Sequence, residues 1–412
     1  MKIKSFLSFV FPMLLFSLAA FADEPCGSIK SAQDILDCAI SHHPDVQISE
    51  ENLKRDQTLK KIAKQIQNPE VEAKVLSGHS DSDSVVNTEI NIGQTIELGG
   101  KRKNRIKQAM GMANFTQAQV LESKELTALN TVLALYRLRQ IRSELAAVNE
   151  GMTTFQHTIE HFKSRPKLAP EQEVSSTVFK LSLDDYKLKK SKLIQEQIAL
   201  QKFLELATGL PIATIQKHLP SSKRQWPKFN IPQGEGQNSE LAKAQADKTI
   251  AEANLKLAKS NAWPDFKVGP SFTTQTGIPG DNTAAGVNMS LSLPIFSLNK
   301  GGVDYTKRDL YRSGLAYQLT LVKKDNERSQ LLLSYQSALQ SLGQLRLNGT
   351  LKNEHKNMED YYEQGLVSSS LVIETHRQIF EVTESINEQE LTAINALWRI
   401  YILDGKLFDS KI

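Results

Sequence analysis

The sequence predicts an elongated, duplicated fold in which each half of the chain supplies a helix, a β-hairpin and a long helical hairpin. Three observations predict it. The same order of elements occurs twice, two pairs of segments alternate apolar and polar residues with period two, and the segments after each pair space apolar residues three and four apart. Composition agrees, since only 7% of the 412 residues are aromatic and long stretches are built from Leu, Ala, Gln, Lys and Glu. With 50 Lys plus Arg against 46 Asp plus Glu, the near-neutral balance argues against a dedicated nucleic-acid binder.

The chain opens on a short basic start (Lys2, Lys4), an apolar run from Phe6 to Ala20 and a small-x-small site at Ala20-Phe21-Ala22. This reads as a signal peptide over residues 1–22, and a spanning helix is disfavoured because the run is short of ~20 residues and holds Pro12. The next residues of note are Cys26 and Cys38, the two cysteines of the chain. In an oxidising compartment they form either a local disulfide or two free thiols, and the spacing leaves both readings open.

The first repeat, residues 23–209, begins with a helical stretch over about 31–67 that ends at Asn68-Pro69. Beyond the proline, strands are expected within about 70–98. Val71, Ala73 and Val75 alternate with Glu72 and Lys74, and Val86, Thr88, Ile90 and Ile92 alternate with Asn87, Glu89 and Asn91. The second repeat, residues 239–412, repeats the pattern: a helix closed by Trp263-Pro264, then strands within about 265–294, with Phe266, Val268 and Phe272 on one face and Val287, Met289 and Leu291 on the partner strand. About ten residues per strand matches the crossing of an outer membrane by a tilted strand. Four strands cannot close a barrel and an open edge is not tolerated in lipid, so a membrane reading requires other copies of the chain. After residue 22 no apolar run of ~18 residues offers a helical span.

Glycine and proline punctuate the passage from strand to helix. Gly99 and Gly100 follow the first hairpin, and Pro294 and Gly301 follow the second; these four residues are expected to make the strand-to-helix turns. Coiled-coil hairpins are then expected over about 101–208 and 302–408, with helices of some sixty residues, or ~90 Å. Leu138, Ile141, Leu145, Val148 and Met152 carry the spacing in the first, and Leu331, Tyr335, Ala338, Leu342 and Leu345 in the second. Tips fall at Arg165 to Pro170 and at Gln364 to Ser368. Residues 210–238, rich in Pro, Ser, Lys and Gly, read as an inter-repeat linker along the helical body.

In this order and spacing the Gly99-Gly100-Lys101-Arg102 turn, the Pro294-Ile295-Phe296 segment with Gly301, and Tyr362-Glu363-Gln364-Gly365-Leu366-Val367-Ser368 resemble the TolC-type outer-membrane efflux family over essentially the whole mature chain. The Gly-Gly-Lys-Arg form is most similar to the branch serving heavy-metal pumps of the resistance-nodulation-division type. The resemblance implies an α-helical barrel joined to a membrane β-barrel, with three chains, four strands from each, completing a twelve-stranded barrel in outer-membrane lipid. It implies a passive exit duct of a tripartite pump, fed by an inner-membrane transporter and joined to it by a periplasmic adaptor. Its counterpart with the same fold is the duct of a type I secretion system, and the alternative from another class is a soluble periplasmic coiled-coil adaptor. By the resemblance, Leu168, Gly365, Leu366, Val367 and Ser368 are adaptor-contact tip residues, although Arg165-Pro166 replaces the glycine usual at the first tip. Glu374 falls where the family places an acidic ring, and Tyr361 and Tyr362 are candidates for constriction contacts at the periplasmic gate.

No enzyme chemistry is expected. His157-Thr158-Ile159-Glu160-His161 matches an inverted zinc-protease pattern, but it sits at the end of a coiled-coil arm with no pocket-forming domain. Gly99-Gly100-Lys101 lacks the further glycine and the Ser or Thr of a phosphate loop. No cofactor, metal or nucleic-acid site is expected.

Overall fold

The computed structural model describes residues 26–412 apart from 81–82, 224, 230–235, 237, 278–281, 345–356, 359 and 363. The expected signal peptide, residues 1–22, lies outside the described residues, as does Leu345.

The expected first helix is three helices: α1 (Ala32–His42), α2 (Pro44–Gln57) and α3 (Leu59–Lys64). Ser31 and Asp34 cap α1 reciprocally, and Pro44 begins α2 at a position where its missing N–H costs nothing. Cys26 and Cys38 are joined, with Cα atoms 5.4 Å apart, which ties the start of the described chain to α1. There follow β1 (Glu70–Ser80), β2 (Asp83–Ile96), α4 (Lys101–Lys163), α5 (Pro170–Thr208) and the short α6 (Ile212–Lys217). The second half gives α7 (Ser239–Ser260), β3 (Phe266–Thr276), β4 (Asn282–Leu291), α8 (Lys300–Gln344) and α9 (Ser369–Leu403). Only as far as Gln344 is the second long helix described; its expected continuation to about residue 363 falls largely on undescribed residues.

The four strands form one antiparallel sheet in chain order. Each strand continues into the helix next to it in sequence, and the helices keep the strand order: α2 and α3 beside α4, α4 beside α7, α7 beside α8. Farther along, the order becomes α5, α4, α9, α8. The chain is thus a one-layer wall, and its core is divided along its length. One cluster gathers Leu36, Val132, Tyr136, Tyr335, Leu397 and Trp398; another gathers Ile141, Val148, Phe155, Phe179, Tyr186, Val372 and Phe380.

Between these two clusters lies a buried polar layer. The Arg137 guanidinium donates to both oxygens of Glu144, a fully buried carboxylate, at 2.6 and 3.0 Å, and to Glu196 at 2.7 and 2.8 Å. Asn387 Nδ2 adds a 2.8 Å bond to Glu144 from α9. Three helices are therefore fixed in one register by a carboxylate that apolar packing alone would not position.

The linker is not a loose surface tether. Its Trp226 and Phe229 rings pack edge-on to Tyr335, and Tyr335 donates to the Pro227 carbonyl at 2.9 Å. Lys324 Nζ donates to the Gly236 carbonyl, and a Cβ on Gly236 would overlap the Asp404 carbonyl.

Glu125, buried on α4, receives the Ser239 N–H at 3.2 Å and the Ser239 hydroxyl at the first turn of α7. Burial pushes its carboxyl above the ordinary glutamate value. A raised folded-state pKa gives stability that is fully present below the unfolded value and lost as pH rises through the folded one. Glu125→Gln is therefore expected to gain melting temperature relative to the parent as pH rises from the ordinary glutamate value towards neutrality. A difference that stays flat over that range in thermal melts would refute the assignment.

Candidate channel wall and tips

The sheet has two chemically distinct faces. Pairing places Val71 opposite Ile92, Ala73 opposite Ile90, Ile90 opposite Phe272, Phe266 opposite Leu291 and Pro270 opposite Val287, so the apolar residues of all four strands share one face. That face is open: Val71 is 70% exposed, Val287 65% and Met289 67%. The other face carries Glu72, Lys74, Asn87, Glu89, Asn91, Ser271 and Thr273, with Lys74 paired across to Glu89. Apolar side chains outward and polar ones inward is the arrangement of a membrane barrel wall. On their outer sides β1 and β4 pair with no other described strand.

The helices show the same incompleteness at their edges. At 100° per residue, Tyr311, Leu315, Leu319, Val322 and Leu333 of α8 point opposite to its buried residues Lys324, Arg328, Leu331 and Tyr335. On α5, Val174, Leu181 and Leu188 point opposite to Phe179, Leu183 and Tyr186. Along both side edges of the wall, apolar stripes face outward with coiled-coil spacing.

Of the four expected strand-to-helix residues, Gly99 and Gly100 adopt φ +68° and +75°. A Cβ on Gly99 would come within 2.7 Å of the Trp263 ring, so glycine is required there by both torsion and contact. Around them, Lys101 pairs with Asp265 at 2.7 Å and Arg105 grips both oxygens of Glu97, so each of these two cations meets a carboxylate. Gly301 is the second residue of α8, at the start of the helix, and is not left-handed. The turn residue of the second half is Asn299, at φ 52°, whose side chain donates to the Ala258 carbonyl and whose own carbonyl accepts the Val303 N–H. Asparagine tolerates the left-handed region through local hydrogen bonding, a signal the sequence did offer. Pro294 lies at the centre of a tight turn in which the Ile295 N–H reaches the Leu293 carbonyl at 2.9 Å.

At the second tip Gly365, at φ +73°, completes a helix stop: its N–H bonds to Tyr362 and the Leu366 N–H bonds back to Tyr361, both at 2.9 Å. Leu366 and Ser368 are exposed, Val367 half-buried, and Ser368 precedes α9. No left-handed residue occurs at the first tip. There Pro170 starts α5, Gln172 accepts the Ala169 N–H, and Leu168 packs against the lower core. His161, at the end of the zinc-like pattern, pairs with Arg165 at 2.9 Å, and both His157 and His161 are exposed.

The three gate candidates separate. Tyr361 is 49% exposed, whereas Tyr362 is packed against the core with its ring 6.1 Å from that of Phe179, so Tyr362 is a packing residue in this chain. Glu374 is exposed but not alone. Arg377 donates to both its oxygens at 2.7 and 2.9 Å and also reaches Glu381, and with Gln378 it holds the Glu374 carboxyl below the ordinary glutamate value. Sequence reasoning passed over Arg377, although its spacing of three and four residues from two glutamates is a helix-pair signal.

Neither a family model nor a curated protein matches the chain. Solved structures do. The Campylobacter jejuni CmeC outer membrane channel matches with a TM-score of 0.70 at 13% identity, covering 91% of this chain and 86% of that one. OprN, an outer-membrane channel, matches at 0.71 and 12% identity over 94% and 95%. The chain has the TolC-like channel fold. The open state of the Neisseria gonorrhoeae MtrE outer membrane channel is also similar, at 0.67 and 14% identity over 91% and 89%. At these identities the likeness is one of channel fold, and it extends over both repeats rather than over a helical arm alone. The neighbours are channels, not enzymes.

Proposed function

We propose that the chain is one protomer of a homotrimeric outer-membrane exit duct in a tripartite efflux pump. The observation that carries this reading is the sheet: its outward face is apolar across all four strands while both its edges are unpaired among the described residues, in a chain with the channel fold. Three copies would close the sheet into a twelve-stranded barrel and bring the apolar stripes of α5 and α8 against neighbouring protomers. The helices would continue into the periplasm as a tunnel. In this reading conduction is passive: an inner-membrane transporter supplies the energy, and an adaptor docks at the tips around Leu168 and Gly365 to Ser368. The Gly99-Gly100-Lys101-Arg102 turn favours a resistance-nodulation-division partner, with metal ions among the cargo.

Fractionation with chemical crosslinking tests the proposal. A trimer extracted from the outer membrane supports it, and a monomer in the soluble periplasm would overturn it.

At the gate, three chains would place Glu374, Arg377 and Glu381 in a ring with net charge of one negative per protomer. Glu374→Gln removes that net charge and leaves Arg377 paired with Glu381. Block of conductance by multivalent cations in planar bilayers is expected to weaken, most at low salt; unchanged block would remove Glu374 from the gate.

A further inference from the structure

The polar layer between the two cores borders a cleft of about 610 Å³, open to solvent on one side and lined by α4, α8, α9 and the linker strap. Its apolar wall includes Trp226, Leu339, Leu342 and Ile386, and its charged groups are Arg139, Lys223 and Glu390. The carboxylate of Glu390 is fully engaged. One oxygen receives the Ser222 hydroxyl and the Lys223 N–H, both at 3.2 Å, and the other receives Arg139 Nη2 and Gln140 Nε2. Arg139 is paired with Glu390 through Nη2, although its buried Nε has no acceptor, whereas the Lys223 ammonium has no carboxylate partner among the described residues. The lining thus carries two cations and one carboxylate together with an aromatic ring and aliphatic side chains, and Lys223 is the cation left without a carboxylate.

We propose that this cleft is a binding site for a small organic anion, a carboxylate or sulfonate carried on an apolar body. The anionic head would accept from Lys223 Nζ, with the Arg139 guanidinium adding positive charge to the lining, and the body would lie against Trp226, Leu339 and Leu342. Burial supports the electrostatic part, since partial desolvation of Lys223, which lowers its pKa, makes a compensating anion favourable. The site is remote from the lipid-facing sheet and from the tips. It rests on the residues of this chain alone and stands whether or not the duct reading does.

The test uses the purified full-length protein, kept soluble in mild detergent, titrated with 4-phenylbutyrate and, separately, with its neutral amide. Calorimetry and Trp226 fluorescence, with Trp226→Phe as the optical control, report binding. The expected result is saturable binding of the carboxylate, at least about tenfold tighter than the amide. Lys223→Gln, on a half-exposed strap residue, is expected to weaken the carboxylate about tenfold and leave the amide unchanged, while Lys223→Arg retains binding within about threefold. Equal affinity for acid and amide, indifference to Lys223→Gln, or no saturation up to millimolar probe would each overturn the proposal.

Discussion

Leu319→Asp is expected to abolish the proposed trimer while leaving the helices intact. Leu319 is 54% exposed on α8, in the stripe with Leu315 and Val322 that faces away from the rest of the chain. Burying a leucine side chain is worth about 1.5–3 kcal/mol, and an ionised aspartate in its place adds a desolvation cost. A loss of about 2 kcal/mol at each interface weakens association roughly 30-fold per contact, and a closed ring has three such contacts. Native gels of detergent extracts and sedimentation would show the shift from trimer to monomer, with far-ultraviolet circular dichroism unchanged. Persistence of the trimer would place this stripe on the outside of the assembly and remove its role in closing the wall.

Ile90→Arg is expected to block stable membrane insertion. Ile90 pairs with Ala73 on one side and Phe272 on the other, near the middle of the apolar face. Arginine on a lipid-facing barrel position costs about 2–4 kcal/mol at the bilayer midplane, and a trimer carries three copies, for roughly 6–12 kcal/mol in all. Thr273→Arg provides the contrast: Thr273 lies on the opposite face, across from Glu89 and next to it in the ladder, where an arginine meets water and a carboxylate. Heat-modified mobility and protease protection in outer-membrane fractions should separate the two variants. If both insert equally, the assignment of the lipid face is wrong.

Much of the fold was legible. The period-two alternation of the sequence falls on β1 to β4, and its three-and-four apolar spacing falls on α4 and α8. Pro69 and Pro264 marked the passage to strand because proline removes a helix donor and crowds the preceding turn. Gly99 and Gly100 were legible for the same local reason, a torsion that other residues resist. Less of the candidate site could be read. Asn299 takes the left-handed position before α8 because such a turn asks for torsional tolerance, which asparagine supplies as well as glycine. Arg377 escaped notice because attention fell on Glu374 as a single charge, while its neighbour one helical turn away sets that charge. Tyr361 and Tyr362 are adjacent, and only the packing of Phe179 against the second separates an exposed ring from a core one.

By itself the sequence determined the elements, their duplication and the two faces of each hairpin, since these follow from interactions within a few residues: helix and strand periods, prolines, glycines and caps. The tertiary structure alone decided which elements are neighbours. It placed β2 beside β3, joining the two repeats in one sheet, and it left β1 with β4, and α5 with α8, as open apolar edges. It also brought Arg137, Glu144, Glu196 and Asn387 together from three helices, with Glu390 and the linker beside them. Buried charge is stable only when its partners converge, and partners separated by more than two hundred residues of chain meet only once the helices have packed.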